Sequence, residues 1–182
     1  MKTTLIIIDD FYEDPDSVRK FALSQNFNVM GNYPGKRTAP YLNDSIKQII
    51  DNHLAVVGGV TNWDCVSEYT GAFQLTTSMD RTWIHTDHNN KWAGVCYLTP
   101  NAPHTGGTGL FRYKSTGEYY RKDKDYDDGY DYTKWDLVDV VGNLYNRLVL
   151  YRGDVFHASL DYFGNNDENG RLFQTFFFDT KF

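Results

Sequence analysis

The chain carries only two cysteines, Cys65 and Cys96, so no disulfide framework can hold it together. Cys96 stands in an apolar run and is expected to be a buried thiol, which points to a reducing compartment, the cytoplasm. No stretch approaches the length needed to cross a bilayer, so no membrane partner is expected. The apolar run near the N-terminus, Leu5-Ile6-Ile7-Ile8, is closed by Asp9-Asp10 and is too short for the core of a signal peptide. There is no basic stripe. The net charge is −6, and segment 121–136 sets six Asp against four Lys or Arg. A nucleic-acid backbone needs a basic face, so it is excluded as the main partner. Neither an internal repeat nor a low-complexity tract is present.

What is there suits a folded, soluble protein. Hydrophobic residues make up 41% of the 182 residues and aromatics 16%, with 14 Tyr and 12 Phe. Aromatic rings favour pleated surfaces, so sheets are expected to dominate. The length fits one domain over 1–182. Within it, 1–60 supply an N-terminal strand and supporting helices, and 61–182 a strand-rich core with a charged, Tyr-rich excursion at 114–136. Asp14-Pro15-Asp16 opens a first helix running to about Gln25. Asn43-Asp44-Ser45 opens a second, with Ile46, Ile49, Ile50 and Leu54 on one face and Gly58-Gly59 marking its end. Residues 26–43, with two Pro and two Gly, read as loop. Strands are expected at 5–8, 66–76, 82–86, 93–98, 110–113, 146–151, 155–159 and 171–178. Helices followed by many short strands imply an α+β fold, with the helices packed against a sheet sandwich or barrel.

The chemistry-bearing residues are His85-Thr86-Asp87, then His157, then Arg171. Side chains two apart on a strand share a face, so His85 and Asp87 can reach one ion, and His157 can join them from another strand. Two imidazoles and a carboxylate leave positions open on an iron(II) ion; zinc accepts the same set. Arg171 opens an apolar strand, Leu172-Phe173 to Phe176-Phe177-Phe178. So buried a guanidinium is expected to have an acidic partner, and its fork suits a carboxylate.

In order and spacing these residues resemble the iron(II)/2-oxoglutarate-dependent oxygenases, in particular the prolyl-hydroxylase-like branch. The resemblance covers about residues 70–180. It rests on His85-Thr86-Asp87, Tyr97-Leu98-Thr99, Gly106-Gly107-Thr108-Gly109-Leu110-Phe111, His157-Ala158-Ser159 and Gly170-Arg171. The opening segment 6–22, with Asp-Asp-Phe-Tyr-Glu-Asp-Pro-Asp, is similar to the first strand and helix of small hydroxylase-like proteins often carried by bacteriophages. The resemblance implies a double-stranded β-helix (jelly roll) core with N-terminal helices on the sheet. It implies His85, Asp87 and His157 as ligands of catalytic iron(II). It also implies 2-oxoglutarate as cosubstrate, held at its far carboxylate by Arg171 and Tyr97, with O2 consumed and ascorbate supportive. The reaction implied is hydroxylation of a peptide, protein or small-molecule substrate, a prolyl residue among them.

Two positions depart from that pattern. Phe173 stands where many relatives carry Ser, and Leu75 where a further Tyr often contacts the cosubstrate; Gln74 or Thr76 could substitute for the latter. Tyr97 is equally readable as a core aromatic. The excursion at 114–136 is readable either as a lid or as a solubilising insertion. His88 competes as a ligand, His104 sits in a turn, and His53 lies on the second helix. Arg152-Gly153-Asp154 is expected to be an ordinary turn. The alternatives to a hydroxylase are a non-catalytic jelly-roll module binding a metal or ligand, and a cupin-like isomerase, which leaves Arg171 unexplained.

Overall fold

Local sequence fixes both helices. In α1 (Pro15–Leu23) the Asp14 carboxylate accepts the Ser17 amide at 3.0 Å, and Pro15 fills the first turn, where a missing N–H costs nothing. In α2 (Asp44–His53) the Asn43 side chain accepts the Ile46 amide at 2.9 Å. This helix ends at His53, short of the two glycines. A tighter 3-10 turn, Ala55–Val57, follows and closes on Gly58 at φ 87°.

The structure, a computed structural model, describes residues 2–63, 68–123 and 125–182. Cys65 and the start of the strand expected at 66–76 lie outside the described residues. The strands are β1 (Leu5–Ile8), β2 (Lys36–Pro40), β3 (Val60–Asn62), β4 (Ala72–Thr76), β5 (Trp92–Tyr97), β6 (Thr108–Tyr113), β7 (Trp135–Val141), β8 (Leu148–Arg152), β9 (His157–Ser159) and β10 (Arg171–Thr180). Seven form one sheet in the order β1-β8-β5-β10-β4-β2, with β3 pairing β10; three form a second, β7-β6-β9. Every pairing is antiparallel.

The larger sheet is buried on both faces. Trp92, Cys96, Leu98, Leu148, Leu150, Leu172, Phe176 and Phe178 share one cluster with Ala22 of α1 and Ile50 of α2. The alternate residues Ala93, Val95, Tyr97, Val149, Tyr151 and Phe173 cluster with Leu110, Val141 and Val155 from the second sheet and its flank. Period-two alternation along β5, β8 and β10 thus sends one set of side chains to the helices and the other to the second sheet. The candidate site lies on that second side.

Three expectations are corrected. A strand, β2, stands inside the 26–43 stretch read as loop. It is an edge strand ending in Pro40, a position where a missing amide removes no ladder bond. β7 follows directly on the excursion, where no strand is signalled by alternation; Leu137, Val138 and Val140 are all about half exposed. The segment 82–86 is not a strand: only His85 forms a bridge, to His157.

Candidate metal centre

That bridge builds the site. The His85 amide donates to the His157 carbonyl at 3.0 Å and the His157 amide to the His85 carbonyl at 2.9 Å. Two imidazoles distant in sequence are thereby placed side by side, ring centroids 4.5 Å apart. Asp87 is set by its amide bond to the Gly153 carbonyl at 2.8 Å. The Arg152-Gly153-Asp154 turn therefore positions a candidate ligand, and it must be tight. A Cβ on Gly153 would fall 2.2 Å from the Asn90 carbonyl oxygen and 2.7 Å from that of Asp87.

The ring nitrogens are oriented by the main chain. His85 Nδ1 lies 2.9 Å from the Trp83 carbonyl and His157 Nδ1 2.9 Å from that of Val155. A carbonyl only accepts, so each Nδ1 carries a proton and Nε2 is the nitrogen left to ligate a metal. Both Nε2 atoms face Asp87, His157 at 3.2 Å from Oδ2 and His85 at 4.0 Å from Oδ1. One donor atom from each of the three residues lies within 4.8 Å of the others. Without a metal a proton on His157 Nε2 bridges to the Asp87 carboxylate; a divalent cation would take that place. The nitrogen, nitrogen, oxygen set suits a divalent first-row metal with open positions.

Electrostatics favours the metal-ready forms. Burial, with the nearby His157 ring, pushes the His85 pKa below its ordinary 6.5. For Asp87, burial pushes upward, but the His157 hydrogen bond and the charges of His157, His85 and Arg37 outweigh it and hold the carboxyl below 3.8. In both cases the unfolded chain binds more protons than the folded one, so stability rises with pH. The thermal midpoint of the metal-free protein is expected to fall as pH drops below about 6.5, where the unfolded-state histidine protonates first. His85→Gln should flatten that slope, as a melting series at several pH values will show. The Asp87 contribution should be lost only below about 3.8.

A cavity of about 400 Å³ opens over the trio. Its wall includes Trp83, Tyr151, Phe173 and Phe177, together with Thr108, Ser159 and Tyr162 and with the group Tyr33, Arg37, Tyr69 and Gln74. Arg171 is fully buried, its guanidinium carbon 4.4 Å from the Phe173 ring centroid. Nε donates to the Gly106 carbonyl at 2.8 Å and Nη2 to that of Gly107 at 3.4 Å, but Nη1 has no hydrogen-bond partner among the described residues. The acidic partner expected for Arg171 is not supplied by the described residues: none forms an ion pair with it. A second buried donor without a partner, the Tyr162 hydroxyl, stands in the same wall and feels the Arg171 charge. Burial pushes the Tyr162 pKa up, so it keeps its proton. Tyr97 is buried, with its hydroxyl 2.7 Å from Thr108 Oγ1; Thr108, not Tyr97, reaches the cavity. Leu75 turns to the helix side, whereas Gln74 lines the cavity.

The rival histidines stand apart from the trio. His88 pairs with Asp125 at 3.5 Å, His104 contacts the Asn143 carbonyl at 3.1 Å, and His53 ends α2. The excursion folds back toward the site. Tyr126 stacks on Tyr113 at 3.9 Å, the Gly129 carbonyl accepts the Ile84 amide, and Asp125 accepts Thr86 Oγ1 at 2.6 Å on the cavity rim. Arg37 and Tyr162 are cavity residues that carry no sequence motif; the aromatic-rich loops around them are the signal available.

Comparison with solved structures gives the fold. HygX from Streptomyces hygroscopicus, with nickel, 2-oxoglutarate and hygromycin B bound, matches over 99% of this chain and 84% of its own at TM-score 0.62 and 12% identity. A Trichoplax adhaerens prolyl hydroxylase in complex with a hypoxia inducible factor peptide matches over 97% and 84% at TM-score 0.55 and 15% identity. A Pseudomonas putida prolyl-4-hydroxylase matches over 98% and 94% at TM-score 0.52 and 15% identity. No curated protein matches the sequence. The chain belongs to the family described as "Family of unknown function (DUF6445)", which matches residues 1–134 and so includes His85 and Asp87 but not His157 or Arg171.

Proposed function

We propose that this protein is an iron(II)- and 2-oxoglutarate-dependent dioxygenase that hydroxylates an organic substrate held in the cavity above His85 and His157. The observation that carries this reading is the convergence of two Nε2 atoms and the Asp87 carboxylate, with both Nδ1 protons already committed to main-chain carbonyls. The two sheets are read as the walls of a double-stranded β-helix, a reading supported by the likeness to HygX and the two prolyl hydroxylases.

In this reading His85, Asp87 and His157 hold the metal on one face. Iron(II) held there would supply oxygen activation coupled to oxidative decarboxylation of 2-oxoglutarate to succinate and carbon dioxide, chemistry that places one oxygen atom of O2 in succinate and the other in the substrate. Arg171 Nη1 and the Tyr162 hydroxyl, two buried donors without hydrogen-bond partners among the described residues, take the far carboxylate of the cosubstrate. Tyr162 stands in for the hydroxyl that Phe173 removes, and Tyr97 supports Thr108. Trp83, Tyr151, Phe173 and Phe177 keep bulk water from the reacting atoms. The substrate class is a small molecule or a peptide or protein side chain; HygX holds hygromycin B and the Trichoplax enzyme a peptide.

The test is succinate formation by anaerobically purified protein given iron(II), ascorbate, 2-oxoglutarate and then oxygen. Turnover is expected to require both iron and 2-oxoglutarate and to vanish in Asp87→Ala. Wild-type turnover no higher than that of Asp87→Ala, or protein that takes up no iron(II), would favour a non-catalytic binding module instead.

A further inference from the structure

The cavity wall contains a second buried guanidinium that the proposed chemistry leaves unused. Arg37, on β2, is 6% exposed. Its carbon lies 3.8 Å from the Tyr33 ring centroid and 4.9 Å from that of Tyr69, so two rings cover it. Nε and Nη2 both donate to Gln74 Oε1 on the neighbouring strand β4. Gln74 is itself fixed by donating to the Pro34 carbonyl at 2.7 Å. Nη1 donates to none of the described residues, and Arg37 lines the cavity.

The charge balance around this group is unusual. Burial pushes the Arg37 pKa down to about 10, with Tyr33 and then Asp87 opposing it. Its immediate partner, Gln74, is neutral. Two acids line the cavity, Asp87 and Asp125. Asp87 belongs to the metal trio. Asp125 is engaged by Thr86 at 2.6 Å, His88 at 3.5 Å and Arg121 at 3.8 Å. Once a divalent cation claims Asp87, a desolvated guanidinium is left with the Tyr33 and Tyr69 rings against it, nearly perpendicular to each other at 80°, Nε and Nη2 held by an amide, and Nη1 without a partner among the described residues. A guanidinium so arranged favours a planar, singly charged acceptor in its own plane, which is a carboxylate. A neutral carbonyl would leave the charge uncompensated in a poorly solvated site.

Resting on the oxygenase reading, we propose that the β2–β4 wall is the substrate subsite and that the substrate is a small molecule carrying a carboxylate, gripped by Arg37 beside Tyr33 and Tyr69. The cavity has the volume of a small-ligand site. Arg171 and Arg37 divide the acids: Arg171, packed on the Phe173 ring, takes the cosubstrate, and Arg37, which lines the cavity, takes the substrate.

The test uses side-chain NMR of full-length protein labelled with 15N-arginine, loaded with zinc(II) as a diamagnetic stand-in and with saturating 2-oxoglutarate, loading being measured on each sample. The probes are N-acetylglycine and its neutral amide. The acid is expected to shift the Arg37 resonance saturably and the amide at least tenfold more weakly. Arg37→Lys, which keeps the charge but loses the fork, should weaken the acid's binding at least tenfold. Gln74→Glu, which places a carboxylate of the chain on Arg37, should do the same and serves if Arg37 variants fold poorly. Equal responses to acid and amide, an Arg37 signal indifferent to the acid in loaded protein, or full acid binding in Gln74→Glu would overturn the assignment while leaving the oxygenase reading intact. Protein that takes up neither zinc nor 2-oxoglutarate would instead overturn the oxygenase reading, and this inference with it.

Discussion

His157→Ala is expected to abolish divalent-metal binding. The imidazole is buried, its side chain 4% exposed, and its Nε2 is the atom nearest the Asp87 carboxylate. Removing it leaves one nitrogen and one carboxylate, too few to compete with hydration for a first-row ion. In the wild type, metal at one hundred times its dissociation constant should stabilise the fold by about 2.7 kcal/mol, a rise in melting temperature on the order of 5–10 °C. In His157→Ala that rise should disappear while a cooperative melt remains. A variant that kept the full metal-dependent shift would remove His157 from the ligand set. His85→Ala should behave alike, whereas His88→Ala, outside the cluster, should leave the shift in place.

Arg171→Met is expected to remove 2-oxoglutarate binding with little effect on the stability of the unliganded protein. The two carbonyls that Arg171 contacts each have another donor. Gly106 also accepts Asn143 Nδ2 at 3.1 Å, and Gly107 accepts the Leu160 amide at 3.0 Å. Deleting the guanidinium therefore strands neither, and it removes a buried charge that lacks a counter-ion. A carboxylate ligand, by contrast, loses a charge-assisted fork worth about 2–5 kcal/mol, roughly thirtyfold or more in affinity. Calorimetric titration of 2-oxoglutarate into metal-loaded wild type and variant, beside their thermal melts, separates the two effects. Undiminished cosubstrate affinity in Arg171→Met would assign the diacid elsewhere, with Arg37 the next buried cation in the cavity.

Much of the fold was legible where the signal is local. Asp14-Pro15 and Asn43 declare helix starts through side-chain caps, and β1, β5, β6, β8 and β10 follow apolar runs closely. What escaped depends on partners far away in sequence. β2 reads as loop because Gly35 and Pro40 flank it, yet the open edge of β4 completes it. β7 has no clean alternation because several of its apolar residues stay exposed, and pairing with β6 defines it. Segment 82–86 has strand-like composition, but its amides bond to Gly129 and His157 rather than to a continuous neighbour. Within the candidate site, the grouping of His85, Asp87 and His157 could be anticipated from order and spacing. Arg37 and Tyr162 could not, since a charged residue on an edge strand and a tyrosine in a polar loop look alike whether they face solvent or a cavity.

The reciprocal main-chain clasp between His85 and His157 bears on how any substitution here is interpreted. Its two hydrogen bonds are made by amides and carbonyls, groups that every residue except proline retains in full. Exchanging one imidazole therefore leaves the polypeptide path, and the aim of the other ring, where they were. Single variants at these positions then report a missing donor atom rather than a collapsed scaffold, and small molecules such as free imidazole have a vacated, correctly shaped recess in which to restore what was taken away.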